Sequence, residues 1–155
     1  MTRILGIEDN DQKWGRVERL LRANVPEAEI VRVTDLFDGE RRVEEPGWDL
    51  LVLDVSLDIR ASARGARGTH DYQAGLKIAS RMYYQECEIR TIIVTGFDSF
   101  PTGTRTSEKD VILGLEEVDA NVRDLLGEHL LATVRYGGDA WEERFVEALR
   151  QGGFA

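Results

Sequence analysis

The hydrophobic pattern alternates between two kinds of segment along the chain. Apolar runs at residues 4–7 and 50–53 are typical of strands that are buried on both faces, as in a parallel sheet. Between such runs, apolar side chains recur at helical spacing, for example Trp14, Val17 and Leu21. This alternation of strand and helix predicts an α/β fold with right-handed crossovers.

The pattern predicts five strand–helix units within one domain, residues 1–155. Strands are expected at residues 3–8, 29–34, 49–54, 90–95 and 131–135, and helices at residues 11–24, 36–45, 72–86, 107–129 and 139–150. Suitable N-cap residues precede the first, fourth and fifth helices: Asn10 or Asp11, Ser107, and Asp139. Two connections, 56–71 and 96–106, are long for an α/β unit, where about 2–6 residues are usual, so we treat them as insertions.

Acidic residues stand at the ends of two predicted strands. Glu8 and Asp9 follow the first strand, and Asp54 closes the strand at 49–54. The carboxyl ends of parallel strands share one edge of a sheet, so the three acids are expected to lie together. Crowded carboxylates raise each other's pKa, and a divalent cation with a preference for oxygen relieves the repulsion. The sequence therefore predicts a Mg²⁺ site at this edge.

Composition narrows the classes of protein to consider. The 155 residues are 42% hydrophobic and carry a formal net charge of −9, which argues against direct nucleic-acid binding through a broad basic face. The single cysteine, Cys87, fits a reducing compartment. We also expect no membrane association, because no apolar run reaches the ~18 residues of a transmembrane helix, and no signal peptide is recognisable. A cytoplasmic protein is expected.

Three segments together resemble the receiver domain of two-component response regulators. They are Ile4-Leu5-Gly6-Ile7-Glu8-Asp9-Asn10, Asp49-Leu50-Leu51-Val52-Leu53-Asp54 and Ile92-Ile93-Val94-Thr95-Gly96. Their order and strand contexts match that family over nearly the whole chain. The resemblance implies a flavodoxin-like, doubly wound fold, with a five-stranded parallel sheet of order 2-1-3-4-5 and helices on both faces.

The resemblance also implies a role for each matching residue. Asp54 would accept a phosphoryl group from a histidine kinase or phosphotransfer protein. Asp9 and Asp54 would bind Mg²⁺, with Glu8 assisting and the backbone carbonyl of Ser56 as a further ligand. The Thr95 hydroxyl would bind the phosphoryl group. Such a stand-alone phosphoacceptor switch is not an enzyme beyond self-phosphorylation and autodephosphorylation, and it would signal by contact with a downstream protein target.

The chain departs from the family at strand five. Family members place a lysine at the end of that strand, whereas Arg135 stands at the matching position, and Ala132 replaces an aromatic residue. Arginine keeps the charge but is bulkier, and the two are not interchangeable at a tight site. Arg135 is therefore expected either to bind the phosphoryl group at an altered rate or to form a standing salt bridge with Asp54.

Other interpretations remain open. These departures also fit a phosphorylation-independent pseudo-receiver that acts as a protein-interaction module. A Mg²⁺-dependent phosphohydrolase ranks last, because Ser56 stands where aspartyl phosphatases need a second acid. Arg60, Arg64 and Arg67 either bind a phosphate or an acidic partner or are simply solvated, and His70 is interpreted as a polar loop residue. The sequence leaves open whether the chain forms the homodimer seen among many receivers.

Overall fold

The computed structural model describes residues 1–60, 70–96, 99–101 and 112–155. In these ranges the strands β1–β9 are Arg3–Ile7, Glu29–Val33, Leu50–Leu53, Leu57–Asp58, His70–Asp71, Arg90–Thr95, Ser99–Pro101, Ile112–Gly114 and Leu130–Arg135. The helices α1–α5 are Asp11–Asn24, Leu36–Val43, Ala74–Tyr84, Leu115–Leu126 and Trp141–Gln151. No helix within the described ranges combines the length and apolar character needed to cross a membrane.

Five strands form one parallel sheet in the order β2-β1-β3-β6-β9. The other four make two antiparallel pairs, β4 with β5 and β7 with β8. Counted over the sheet strands alone, the order is 2-1-3-4-5, so the predicted fold class and strand order are confirmed. The strand order reverses direction beside β1, and such a switch point is where α/β sheets form their sites.

Both faces of the sheet are covered, which explains the continuous apolar runs. Leu51 and Leu53 of β3 pack in a core with side chains of α2, α3 and α4. Leu50 and Val52 point to the opposite face and pack with α1 and α5. All four side chains are buried, so β3 is held rigidly from both sides.

Gly6 lets α1 lie close to the sheet. A Cβ atom at this position would be 2.1 Å from Cη2 of Trp14. Shifts of a few tenths of an ångström would not relieve so close a contact. Trp14 is itself buried against the same face. The absence of a side chain on β1 therefore sets how closely the first turn of α1 approaches the carboxyl edge of the sheet.

The structure corrects several sequence-based boundaries. The fourth helix begins at Leu115, because residues 112–114 pair with β7 as a strand; the cap assigned to Ser107 lies outside the described residues. Ala140, at φ 54°, precedes α5, and no side chain caps that helix, so the prediction of Asp139 as its N-cap is wrong. Pairing of β8 with β7 thus overrode the local helical pattern at residues 112–114.

We predict that Gly6→Ala destabilises the protein and Gly15→Ala does not. The new methyl group at residue 6 must displace the Trp14 ring, and overpacking of this kind costs about 1–3 kcal/mol. Gly15 lies on the exposed side of α1 with nothing within 4 Å of a Cβ atom, so its replacement should stabilise the helix by about 0.5–1 kcal/mol. Urea unfolding of both variants measures the difference, and equal stabilities would contradict this packing.

Candidate functional site

A polar crevice opens at the carboxyl ends of β1, β3 and β6. The backbone N–H of Asp54 donates to the carbonyl of Ile7 at 3.0 Å, which extends the β1–β3 ladder by one residue past the end of β3. Glu8 and Asp54 are thereby held beside each other. A cavity of about 470 Å³ opens over this edge, and its lining includes Asp9, Asp54 and Ser56.

The three acids predicted to meet do so in this crevice. One carboxylate oxygen from each of Glu8, Asp9 and Asp54 lies within 4.8 Å of the others. Glu8 and Asp54 are buried and Asp9 is half-buried. Burial, followed by repulsion from Asp54, raises the pKa of Asp9. The same two causes raise the pKa of Glu8 to about 8, against an opposing attraction from Lys13.

Lys13 supplies the cation of this crevice, and the sequence analysis did not identify it. Its Nζ atom is 2.5 Å from Oε1 of Glu8 and 3.1 Å from Oδ2 of Asp54. It also donates to the carbonyl of Val94 at 2.6 Å. Only 5% of Lys13 is exposed. Three acceptors from three strand ends match the three protons of one ammonium group.

The N-terminus of α1 places Lys13 in the crevice. The side-chain oxygen of Asn10 accepts from the backbone N–H of Lys13 at 2.9 Å, as the sequence predicted for an N-cap. A cation in the first turn opposes the helix dipole, so Lys13 needs the neighbouring acids to be stable there. The sequence does contain a signal for the burial of Lys13. This lysine lies four residues before the apolar Val17, so both side chains are on the same, inward face of the helix.

A second polar group borders the acids. His70 Nδ1 is 2.8 Å from Oδ1 of Asp58 and 3.8 Å from Oδ2 of Asp9. Nε2 of the same ring is hydrogen-bonded to the hydroxyl of Ser56. Pairing of β4 with β5 sets Asp58 opposite His70. The interpretation of His70 as a polar loop residue missed this pairing, because no local pattern specifies it.

Thr95 and Arg135 lie at the ends of neighbouring strands. Thr95 is fully buried at the end of β6 and is opposite Arg135 in the β6–β9 register. Arg135 is exposed. The roles assigned to both side chains stay predictions. Of the three insertion arginines, Arg60 lies with its guanidinium 5.2 Å from the ring of Phe37, while Arg64 and Arg67 are outside the described residues.

Comparisons with known proteins identify the fold. No protein-family model and no curated protein matches the sequence. Among solved structures, a CheY-like response regulator receiver domain from Methanospirillum hungatei JF-1 aligns with a TM-score of 0.63 at 14% identity, covering 97% of this chain and 92% of that one. The chain has the fold of a response regulator receiver domain.

Two further structures show the same receiver fold. The response regulatory domain of mrkE from Klebsiella pneumoniae has a TM-score of 0.65 at 13% identity, with 98% of this chain and 95% of that one covered. A LuxR-family DNA-binding response regulator from Staphylococcus aureus has a TM-score of 0.62 at 18% identity, with 98% of both chains covered. The structural alignments establish the receiver fold, and at identities this low they establish nothing about the chemistry of the crevice.

The raised pKa of Glu8 predicts stability that falls with pH when no metal is bound. Between its ordinary pKa of 4.5 and the folded value of about 8, the folded chain holds more protons than the unfolded chain, so the free energy of unfolding decreases as pH rises. The raised pKa of Asp9 acts in the same direction. Glu8→Gln should therefore show a shallower decrease.

Urea unfolding in the presence of EDTA from pH 5 to pH 9 measures this effect. Glu18→Gln is the control, because Glu18 lies on α1, the helix that carries Lys13, and is paired with Arg22 at the surface. Equal slopes for the wild-type protein and Glu8→Gln would contradict the electrostatics of the crevice.

Proposed function

We propose that this chain is a Mg²⁺-dependent phosphoacceptor that takes a phosphoryl group on Asp54. The observation that carries the proposal is the position of Asp54, which lines an open cavity beside Asp9 and contacts the Lys13 ammonium group. The donor is a phosphohistidine of a histidine kinase or phosphotransfer protein. An oxygen of Asp54 attacks phosphorus, the phosphorus–nitrogen bond breaks, and the electron pair returns to the imidazole of the donor.

The donor set fits Mg²⁺. Three carboxyl groups lie together here, and the Lys13 ammonium group contacts two of them, so negative charge is in excess when all three are ionised. Repulsion from Asp54 adds to burial in raising the pKa of Glu8 and of Asp9. Asp9 and Asp54 would hold the ion, with Glu8 assisting and the Ser56 backbone carbonyl as a further ligand. When bound, Mg²⁺ would neutralise charge on the transferred phosphoryl group.

Lys13 is the cation that we assign to the acceptor. Oδ1 of Asp54 accepts the backbone N–H of Val55 at 2.7 Å, and Oδ2 faces Lys13 at 3.1 Å. These two contacts fix the carboxylate plane before the reaction and avoid reorganisation during it. Lys13, on α1, thus makes the salt bridge to Asp54 that the sequence interpretation offered for Arg135 on β9. Thr95 is proposed to donate its hydroxyl to a phosphoryl oxygen.

The proposed output is a change of protein contacts. A phosphoryl group adds about −1.5 to −2 charge to the edge of the sheet where Lys13 is already ion-paired with Glu8 and Asp54. Redistribution of these ion pairs would alter the neighbouring connections and the surface offered to a downstream protein target. Apart from self-phosphorylation and autodephosphorylation, we propose no enzymatic turnover.

Phosphorylation of Asp54 is tested with acetyl phosphate and Mg²⁺ by intact-mass spectrometry. We expect the wild-type protein to gain one phosphoryl group, and Asp54→Asn or added EDTA to abolish the gain. Asp49→Asn is the matched control, because Asp49 is exposed at the opposite end of β3 and should leave the gain intact. A wild-type protein that stays unmodified, or a gain that persists in Asp54→Asn, would refute the proposal.

Lys13→Met should slow phosphorylation by about tenfold or more, corresponding to at least ~1.4 kcal/mol of transition-state stabilisation. Arg135→Ala should change the rate less than about threefold. Since removing Lys13 leaves buried acids unpaired, circular dichroism checks folding, and a Glu8→Gln/Lys13→Met double variant removes both partners of one ion pair. A normal rate in Lys13→Met with a large loss in Arg135→Ala would transfer the role to Arg135.

A phosphorylation-independent interaction module is the second candidate. Arg135 and Ala132, which depart from the receiver pattern on the fifth strand of the sheet, favour it, and the contact between Lys13 and Asp54 is compatible with both candidates. Partner binding that is identical for the wild-type protein and Asp54→Asn would support this candidate, whereas binding that changes with phosphoryl loading supports the first.

A further inference from the structure

Asp9, Asp58 and His70 form a second donor set next to the acidic crevice. They come from the segment after β1, from β4 and from β5, and their ligand atoms all lie within 4.8 Å of one another. Unlike the Glu8, Asp9 and Asp54 group, this set contains an imidazole nitrogen. The chemistry available to it therefore differs from that of an all-oxygen site.

The imidazole of His70 is held in one orientation. Its Nδ1 atom faces Oδ1 of Asp58 at 2.8 Å and Oδ2 of Asp9 at 3.8 Å. On its far side, Nε2 contacts the Ser56 hydroxyl, and the ring of Tyr72 packs edge-on at 4.8 Å between centroids. Histidines that bind metals are oriented in this manner, with the second nitrogen bonded to a neighbouring polar group.

The donor separations suit a small ion. Two ligand atoms bound tetrahedrally at about 2.1 Å lie about 3.4 Å apart, and the two His70 separations of 2.8 and 3.8 Å bracket that value. The side chains are 18% (Asp9), 45% (Asp58) and 32% (His70) exposed, so solvent ions reach the set and water can complete the coordination. The two carboxylate groups of the set also attract a cation.

We propose that Asp9, Asp58 and His70 bind a first-row transition-metal dication, with Zn²⁺ as its reference ion, in preference to Mg²⁺. Imidazole and carboxylate together suit Zn²⁺, whereas Mg²⁺ favours oxygen ligands and retains its water. In the bound state His70 presents the Nδ1 lone pair to the ion, and Nε2–H donates to Ser56. The Asp58 carboxylate, which is hydrogen-bonded to His70 Nδ1 in the metal-free protein, binds the ion instead.

The same contacts have the connectivity of a serine–histidine–aspartate triad. One observation favours the metal: Nδ1 faces two carboxylates, whereas orientation of a catalytic histidine needs one.

Asp9 belongs to both donor sets, which couples this site to the acidic crevice. An ion at Asp9, Asp58 and His70 draws the Asp9 carboxylate toward β4 and weakens its contribution to Mg²⁺ binding beside Asp54. Zn²⁺ should therefore lower the apparent Mg²⁺ affinity of the wild-type protein. The Zn²⁺ site itself does not depend on phosphoryl transfer.

Calorimetric titration of the metal-free full chain with ZnCl₂ tests the proposal. We expect one strong Zn²⁺ site that weakens at least tenfold in His70→Gln and in Asp58→Asn. His129→Gln is the matched control, because His129 is the other histidine of the chain and lies beyond α4. Cys87→Ser controls for thiol binding. Both controls should retain the wild-type affinity, and Mg²⁺ affinity should be unchanged in His70→Gln.

Two further measurements separate loss of the Zn²⁺ site from loss of the fold and identify the histidine that binds the ion. Near-UV circular dichroism of His70→Gln establishes that the fold is intact, and ¹⁵N NMR should show that Zn²⁺ shifts Nδ1 of His70 and leaves His129 unaffected. Asp54→Asn should still bind Zn²⁺, so failure of phosphorylation and failure of this site are distinguishable. Absence of strong Zn²⁺ binding, or equal affinity in the wild-type protein and His70→Gln, would overturn the proposal.

Discussion

The ion cluster centred on Lys13 is the interaction on which the crevice depends. Glu8 and Asp54 are almost fully buried at adjacent strand ends, where two uncompensated carboxylates would repel each other and lose their hydration. One ammonium group contacts both acids and a backbone carbonyl. The arrangement leaves Asp9 as the acid with the most freedom to bind a further cation.

The packing of α1 against the sheet brings Lys13 to the acids and lowers local stability. A lysine in the first turn of α1 opposes the helix dipole, and it reaches the acids because Gly6 lets Trp14 and its helix approach the sheet. The pairing of β4 with β5 then brings a histidine to the outer side of the same acids. The same residues thus form the polar crevice and lower local stability.

The sequence was sufficient for the sheet and for the acids, but not for their partners. Continuous apolar runs followed by Glu8, Asp9 and Asp54 specify buried parallel strands and a shared edge, and the structure has both. Lys13 was missed because a helical lysine is ordinarily solvated, and its burial depends on how helix and sheet pack. His70 was missed because its partners come through a two-residue strand pairing, which has no periodic signature.

The exchange behaviour of the lysine ammonium protons tests the Lys13 cluster most directly. The chain has three lysines, Lys13, Lys77 and Lys109, so ¹⁵N-resolved ammonium spectra can be assigned by substitution. The Lys13 side chain is 6% exposed and that of Lys77, paired with Asp71, is 61% exposed. We predict that the Lys13 protons exchange with water far more slowly than those of Lys77, and that Asp54→Asn shifts the Lys13 signal. Exchange as fast as that of Lys77, with no response to Asp54→Asn, would contradict the account.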